Sequence, residues 1–387
     1  MINDPFTLLL VFLGIVLGAM ILTKRYTFAR KLSPVLIILF TSALFSNLGV
    51  ISDNSPFYRR VTDFTVPFAV CLILFQVKIS DFKRAGPAML LAFTIASVGT
   101  VLGTLLAGIT LNPFLQKIMG AESWKLAGPY IGTYIGGSLN FFALWTGLEI
   151  ENPDLFAAAN AVDNLTLFPI FMFWILVPER VIRFFPVANT WKRSEASDSE
   201  KPDGSEPPAF KILDVVALSF VALLVSFVSD WLKLEFIADF MPRFPTILII
   251  TTFALIFAQF KFIGRLEGAT ELGNLAFYFF FAGVGAMMNI KKAIMLAPIL
   301  FLFVMIIIIF HIMVVLVLGR LLRLDVKLLA VASISAKCGP ATVVALTNVL
   351  GWKTLVLPGV AAALLGYAIG NYIGFGGAYF LKFILNL

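Results

Sequence analysis

The sequence predicts an all-α polytopic membrane protein built from two inverted repeats of about five to six helices each. Charged residues make up only 13% of the 387 residues and apolar residues 60%, whereas soluble domains hold about a quarter charged residues. Mean hydropathy is +0.97. The apolar residues fall into runs of about 20, which span a bilayer as helices. The runs of the second half repeat the order of those in the first, as expected of a duplication.

Each half contains four ordinary runs, one run interrupted by Gly or Pro, and one run that opens with three alanines. The first-half runs are 5–23, 33–50, 64–79, 87–111, 126–147 and 155–178. The second-half runs are 212–232, 244–262, 272–290, 294–318, 328–350 and 355–387. A polar stretch at 193–208 separates them and is typical of a solvated linker. We therefore divide the chain into a first membrane repeat (1–186), a polar cytoplasmic linker (187–210) and a second membrane repeat (211–387).

Loop charges predict that the two halves are inverted. The loop after the first run is basic and therefore cytoplasmic, with Lys24, Arg25, Arg30 and Lys31. Its counterpart in the second half is balanced and therefore outside, with Lys233, Glu235, Asp239 and Arg243. Lys192 and Arg193 place the linker inside, which requires an odd number of crossings in the first half, although six runs are present. Either one glycine-rich run is re-entrant, or 181–191 adds a crossing or interfacial helix.

Composition and spacing argue against several other classes of protein. The net charge of +7 fits cytoplasmic loops near anionic lipid, so no nucleic-acid partner is expected. No CxxC or HExxH spacing occurs, and we interpret Cys71, Cys338 and the single histidine, His311, as packing residues. Without a catalytic constellation or a soluble sensing domain, an enzyme or a receptor is not expected. The expected location is the bacterial cytoplasmic membrane, as a multi-pass protein.

The strongest candidate for a functional residue is Asp163. An ionised carboxylate at mid-membrane costs at least about 2.5–3.5 kcal/mol and needs a partner, a bound cation or a proton. Asn160, Asp163 and Asn164 share one helical face because they are spaced i, i+3, i+4. One carboxylate and two amide oxygens suit a hard cation such as Na⁺. A structural polar cluster between helices is the alternative interpretation.

The two interrupted runs supply the other candidates. Around Gly136 and Gly137 an unwound backbone exposes carbonyl groups for a cation and helix N-termini for an anion. Close packing through small residues is the alternative. Lys337, beside Gly339, would either neutralise Asp163 or meet an anionic solute, unless it snorkels to an interface. Side-chain oxygens for the ion come from Thr133, Ser138 and Asn140, and further substrate contacts from Thr342 and Asn371.

These residues resemble a known family. The segments 132–140 and 157–164, with Lys337-Cys338-Gly339-Pro340 in the second half, look like the YjcL-like family of bacterial membrane proteins, a domain of unknown function, over essentially the whole chain. That family is grouped with bile-acid symporters, glutamate/sodium symporters and cation/proton antiporters. The resemblance implies a panel (scaffold) domain, a core in which two discontinuous helices, 126–147 and 328–350, cross near mid-membrane, and a homodimer through the scaffold. Asn160 and Asp163 are similar to the Asn-Asp or Asp-Asp pair of the antiporters, although here they are spaced i, i+3 instead of adjacent.

The sequence thus favours a secondary active transporter, with two hypotheses for its mechanism. The first is Na⁺-coupled symport of a small organic, anionic solute by alternating access, with the cation at Asp163 and the solute near Lys337. The second is Na⁺/H⁺ antiport, in which Asp163 alternates between a proton and Na⁺. An ion channel is a further alternative, which would show single-channel conductance. Beyond the coupling ion and the solute, no cofactor is expected. The expected partners are the lipid bilayer, the small-molecule solute and a second copy of the chain.

Overall fold

Helices make up the fold. The computed structural model describes residues 1–27, 29, 34–177, 211–241 and 244–387, so the predicted linker and the stretch 181–191 lie outside it. The first half contains α1 (Pro5–Arg25), α2 (Pro34–Asn47), α3 (Pro56–Leu74), α4 (Ile79–Met119), α5 (Ala127–Gly136), α6 (Ser138–Gly147) and α7 (Pro153–Leu176). The second half contains α8 (Ile212–Leu232), α9 (Thr246–Ala258), α10 (Ala269–Met287), α11 (Ile290–Leu321), α12 (Val326–Val349) and α13 (Val356–Leu385).

The predicted fold class, an all-α polytopic membrane protein, is confirmed. Seven helices in the described part of the chain are long and apolar enough to cross a membrane. Two shorter apolar helices, α2 and α9, accompany them. The order of elements is the same on both sides of the undescribed segment, so α1 to α4 correspond to α8 to α11, α5 and α6 to α12, and α7 to α13.

The helices divide into a scaffold and a core. The scaffold consists of α1–α3 and α8–α10, in which α3 packs on α10 and α2 packs on α10. The core consists of the remaining helices, in which α4 packs on α11 and α13 packs on α5 and α12. Each contact has a counterpart when every helix is replaced by the equivalent helix of the other half. The α7–α11 contact corresponds to the contact between α13 and α4, and the α3–α9 contact corresponds to the contact between α10 and α2. An inverted duplication predicts this reciprocity.

Hydrogen bonds at the helix ends identify two opposite faces of the molecule. On the face that we call the far face, Asn47 at the end of α2 bonds both the Met288 carbonyl and the Ile290 amide. Asp154, at the start of α7, accepts from the Asn289 amide on the same face. On the other face, which we call the linker face because α7 ends and α8 begins there, Gln259 after α9 bonds Val77 and Ile79.

The segment formed by α5 and α6 is a helical hairpin that enters from the far face and turns back. A Cβ on Gly132 would collide with Leu144, and one on Gly128 would collide with Leu148. Gly132 and Leu144 are twelve residues apart, which in a continuous helix would separate them by about 18 Å along the axis. Their contact therefore requires antiparallel arms. The arms meet at Gly137, whose φ of 75° and ψ of 178° are open only to glycine.

α12 is a second hairpin, which enters from the linker face. Its chain breaks at Gly339, with φ 73° and ψ 178°. A Cβ on Gly359 of α13 would lie 2.5 Å from Val331 in the first arm and 2.7 Å from Val343 in the second. Both arms therefore lie side by side against α13. At the base of the hairpin, the Lys327 ammonium lies 5.8 Å from the centre of the Trp352 ring. This contact joins the start of the first arm to the end of the second.

These hairpins correct one expectation and explain another. The resemblance implied two discontinuous helices that cross near mid-membrane, whereas both segments turn back at a glycine because each arm packs on its partner arm and on α13. The first half therefore contains five helices that run between the faces, α1–α4 and α7, and one re-entrant hairpin. An odd number of crossings is what the loop charges required. The region 181–191, the other explanation considered, lies outside the described residues.

The two hairpin tips meet inside the molecule. A Cβ on Gly137 would lie 3.9 Å from the Gly339 amide nitrogen and 4.0 Å from the Lys337 carbonyl oxygen. The ten-residue arms of the first hairpin are about 15 Å long, which is half of a hydrocarbon layer of about 30 Å. Tips that enter from opposite faces and touch therefore lie near the middle of the membrane.

Candidate functional site

Asp163, on α7, faces the place where the hairpin tips meet. It is 6% exposed, and its Oδ2 accepts a hydrogen bond of 3.3 Å from Thr133 in the first hairpin. Its Oδ1 lies 3.9 Å from the Lys337 Nζ in the second hairpin. No group in the described part of the chain donates a hydrogen bond to that Oδ1. The carboxylate thus touches both hairpins and keeps one buried oxygen available to another ligand.

Lys337 is turned toward Asp163 and toward hydroxyl groups. Its Nζ donates to the Tyr134 hydroxyl at 2.6 Å and to Thr166 Oγ1 at 3.1 Å. The ammonium also lies 3.8 Å from the centre of the Tyr134 ring. Lys337 is 3% exposed, so it does not snorkel to an interface. Of the two roles predicted for Lys337, neutralising Asp163 matches this geometry and contact with a solute does not.

The two amides of the predicted ion site lie beside Asp163 on α7. Asn164 Nδ2 donates to the Asn160 backbone carbonyl at 2.8 Å and to Asn160 Oδ1 at 3.2 Å. The Asn160 amide group is buried, and its Nδ2 has no acceptor among the described residues. Unpaired polar atoms of this kind, next to the unpaired Oδ1 of Asp163, are typical of a ligand site and rare in packed interiors.

The other predicted site residues divide between the tips and places away from them. Gly136, Gly137, Ser138, Gly339 and Thr342 lie at the tips, where Ser138 is exposed and Thr342 is half-buried. Thr342 Oγ1 donates across the second tip to the Cys338 carbonyl at 3.1 Å. Asn140 donates instead to the Gly366 carbonyl of α13 at 3.2 Å. Asn371 donates to Thr251 of α9 at 3.0 Å, so its side chain joins the core to the scaffold.

Sequence reasoning missed two hydroxyl groups of the site, those of Tyr134 and Thr166. Their oxygens lie 3.2 Å apart, and Thr166 also donates to the backbone carbonyl of Asp163 at 2.9 Å. Thr166 follows Asp163 by three residues, so the helical spacing that selected Asn160 would also have selected it. Tyr134 gave no comparable signal, because its role depends on Lys337 approaching from a hairpin 203 residues away.

His311 is a packing residue, as expected, and it links both hairpins. It is 1% exposed. Its Nδ1 lies 3.0 Å from Thr100 Oγ1, and its Nε2 lies 2.8 Å from Ser333 Oγ in the second hairpin. Thr100 in turn donates to the Tyr134 carbonyl of the first hairpin at 3.2 Å, and the Trp174 indole donates to Ser333 at 2.8 Å. This chain of hydrogen bonds holds the arms at fixed positions beside the Asp163–Lys337 pair.

Comparison with known proteins gives the family. The model of a family described as "Protein of unknown function (DUF819)" matches residues 7–384. The chain belongs to the DUF819 family. It is 31% identical over 382 residues to "Uncharacterized membrane protein YjcL" of Bacillus subtilis (strain 168), with 94% of this chain and 93% of that protein covered. The expected resemblance to YjcL-like membrane proteins is confirmed, whereas the grouping with symporters and antiporters stays a prediction.

The DUF819 description names no activity, so function has to be argued from the site. The arrangement offers two chemistries side by side. Carboxylate, hydroxyl and carbonyl oxygens suit a hard cation, while the N-termini of α6 and of the second arm of α12, both at the tips, favour an anion. Among the described residues no group of three or more His, Cys, Asp or Glu side chains is placed to hold a metal ion, so any cation would be bound mainly by neutral oxygens.

Proposed function

We propose that this DUF819 protein is a secondary active transporter that couples Na⁺ to a small organic, anionic solute. One observation carries the proposal: two hairpin tips from opposite faces meet beside a buried carboxylate that keeps one oxygen unpaired. Interrupted backbone at membrane depth is tolerated only where protein or a water-filled cavity surrounds it. Broken helices that meet near mid-membrane are where transporters bind substrate and ion.

The cation would bind on the α7 side of the tips. Asp163 Oδ1 would be its charged ligand, with the Asn160 and Asn164 amides on the same helical face as neutral ligands. Thr133 Oγ1, already 3.3 Å from Asp163, would complete the set together with tip carbonyl groups. Binding of Na⁺ near Oδ1 would compete with the Lys337 ammonium at 3.9 Å, because two cations repel each other at a shared anion.

Alternating access would come from movement of the core against the scaffold. The direct polar contacts between them include the pairs Asn371–Thr251 and Tyr372–Thr252. Aromatic rings cover much of the remaining boundary, with Phe142 of α6 against Phe281 of α10 at 4.8 Å between ring centres. A boundary of few hydrogen bonds and many rings can slide, as transporter mechanisms require. A homodimer through the scaffold remains a prediction of the resemblance.

Na⁺/H⁺ antiport is the second candidate, and the Asp163–Lys337 pair favours it. A carboxylate that exchanges an internal ammonium partner for Na⁺ can return to its resting state without a solute. The two functions differ in what they require. Antiport predicts Na⁺-driven H⁺ exchange in vesicles with no organic substrate, whereas symport predicts Na⁺ uptake only when the solute is present.

The test uses the purified full-length protein. Thermal unfolding is measured against a panel of small carboxylates and other metabolites, each with and without Na⁺. Stabilisation that requires both ligands supports symport, because a ligand that binds only the native state raises apparent stability. Proteoliposomes loaded with a pH dye then report antiport. If Asp163→Asn keeps full Na⁺-dependent stabilisation or exchange, the cation site proposed here is wrong.

A further inference from the structure

We propose that Tyr367 of α13, with Ser138 and the N-terminus of α6, binds the carboxylate of the transported solute. This proposal rests on the proposed function and assigns the solute a position separate from the cation. The sequence led us to expect that Lys337 would contact the solute. Its ammonium instead lies beside Asp163 and donates hydrogen bonds to Tyr134 and Thr166. Another donor is therefore needed at the tips.

Tyr367 contacts both tips at their glycines. A Cβ on Gly339 would lie 2.7 Å from the Tyr367 hydroxyl oxygen, and one on Gly137 would lie 3.3 Å from its ring. Both glycines have positive φ, so neither position accepts a larger side chain without strain. The absence of Cβ atoms there makes room for the phenol, and the ring spans the point where the hairpins meet.

The Tyr367 hydroxyl has no hydrogen-bond partner in the described part of the chain. The residue is half-buried. A phenol in such a position is satisfied by water or by a ligand. The phenols of Tyr134 and Tyr130 differ in this respect, since Tyr134 bonds Lys337 and Thr166 and Tyr130 bonds the Ala159 carbonyl.

Hydrogen-bond donors adjoin this position at the first tip, because Ser138 directly follows Gly137, whose added Cβ would lie 3.3 Å from the Tyr367 ring. Ser138 is the first residue of α6 and is exposed, so its hydroxyl and the amides of Ser138 and Leu139 are free to donate. The Asn140 amide already donates to the Gly137 carbonyl at 3.1 Å. The amides of this first turn also carry the positive end of the helix dipole. A phenol, a serine hydroxyl and helix N-terminal amides together favour an oxyanion.

The repeat places Tyr367 where the other half has Asp163. Asp163 follows Ala157 by six residues, and Tyr367 follows Ala361 by six residues. α7 thus brings a carboxylate to the tips, which suits a cation, and α13 brings a phenol, which suits an anion. The equivalent helices α7 and α13 carry different side chains at the matching position. The α7 side of the site would bind the cation, and the α13 side would bind the carboxylate of the solute.

Cys338 at the second tip provides a reporter for the test. It is half-buried, whereas Cys71 is buried, and Cys71→Ala leaves Cys338 as the single cysteine of the chain. The rate of labelling by N-ethylmaleimide is measured on this variant of the full chain, with Na⁺ and with small mono- and dicarboxylates or their amides. Carboxylates, but not their amides, are expected to slow the labelling in Na⁺.

Tyr367→Phe is then compared with Tyr278→Phe, a matched phenol on the scaffold helix α10. Loss of one hydrogen bond to a charged group should raise the half-protecting carboxylate concentration about tenfold in Tyr367→Phe and leave it unchanged in Tyr278→Phe. Equal protection in both variants overturns the role of Tyr367 but not the transporter. If Na⁺ alone changes the rate and no carboxylate does, the assignment of a carboxylate fails. If neither ligand has an effect, the proposed function itself fails.

Discussion

At the residue scale, the Asp163–Lys337 pair makes a prediction about stability that does not depend on transport. Both groups are almost fully buried, with side-chain exposures of 8% and 2%. Removing one member of a buried pair leaves the other charge uncompensated, which costs about 3–5 kcal/mol. Lys337→Met should therefore lower the unfolding temperature strongly, and Asp163→Asn in the same chain should restore most of the loss. The measurement is thermal unfolding in detergent without Na⁺.

The control for that experiment is Lys353→Met, which removes an exposed lysine at the linker face and should leave stability within about 0.5 kcal/mol. If the double variant is no more stable than Lys337→Met, the two groups are not paired. The sequence alone identified both charges as unusual. It did not show that Lys337 points to Asp163, because that contact joins α7 of the first half to the hairpin of the second half.

At the scale of elements, two rows of glycines hold the first hairpin against α13. Gly128, Gly132 and Gly136 of α5 are spaced every four residues, as are Gly366, Gly370 and Gly374 of α13. A Cβ on Gly366 would collide with the Ile135 carbonyl oxygen and lie 3.1 Å from the Gly136 Cα. Since both obstacles are backbone atoms, Gly366→Ala must push the hairpin away. We expect a clear drop in unfolding temperature.

Gly376→Ala on the same helix is the matched control, because nothing lies within 4 Å of the added Cβ. Alanine is a better helix former than glycine by about 1 kcal/mol, so this variant should be as stable as the parent or slightly more so. The same loss of stability in both variants would show that the contact with the hairpin does not decide the effect.

The sequence predicted features that depend on residues close together in the chain, and it missed features that depend on contacts between distant residues. The apolar runs, the repeated order and the candidate residues on one face of α7 depend on neighbours in the chain, and the described structure contains them. The hairpins could not be distinguished from broken crossing helices, because a Gly-Gly or Gly-Pro break is compatible with both. Contacts such as Gly132 with Leu144 decide the matter, and they depend on how the arms pack. Tyr134 and Tyr367 became site residues only through those contacts.

At the scale of the whole molecule, the distribution of charge predicts the orientation. In the described part of the chain, lysines and arginines are more numerous near the linker face, with Lys24, Arg25, Arg320, Arg323 and Lys327 among them, than near the far face, which carries Arg59, Arg60, Lys291 and Lys292 among others. The positive-inside rule then places the linker face in the cytoplasm. With Cys71 and Cys338 replaced by alanine, Glu235→Cys should react with an impermeant maleimide in intact cells. Lys353→Cys should react only after lysis, and the reverse pattern would contradict the orientation.

The proposed movement of the core against the scaffold can be tested with a single crosslink. Gly147 lies on α6 in the core, and a Cβ placed there would be 3.5 Å from the Ile247 Cβ of the scaffold helix α9. That separation lies in the range of disulfides. Gly147→Cys with Ile247→Cys, in a chain lacking Cys71 and Cys338, should therefore form a disulfide on mild oxidation. The bond should abolish ²²Na⁺ uptake by proteoliposomes, and a reductant should restore it.

The matched control joins two helices of the core. A Cβ on Gly99 of α4 would lie 3.2 Å from the Val314 Cβ of α11 and also 3.2 Å from the His311 carbonyl oxygen. Gly99→Cys with Val314→Cys therefore places two cysteines within one moving unit, at a Cβ separation slightly shorter than that of the Gly147–Ile247 pair. A bond between them should leave uptake unchanged, because α4 and α11 move together in a mechanism of core against scaffold. If the Gly147–Ile247 bond forms and uptake continues at the uncrosslinked rate, α6 and α9 do not separate during transport, and access to the site must instead come from the hairpin tips opening in turn.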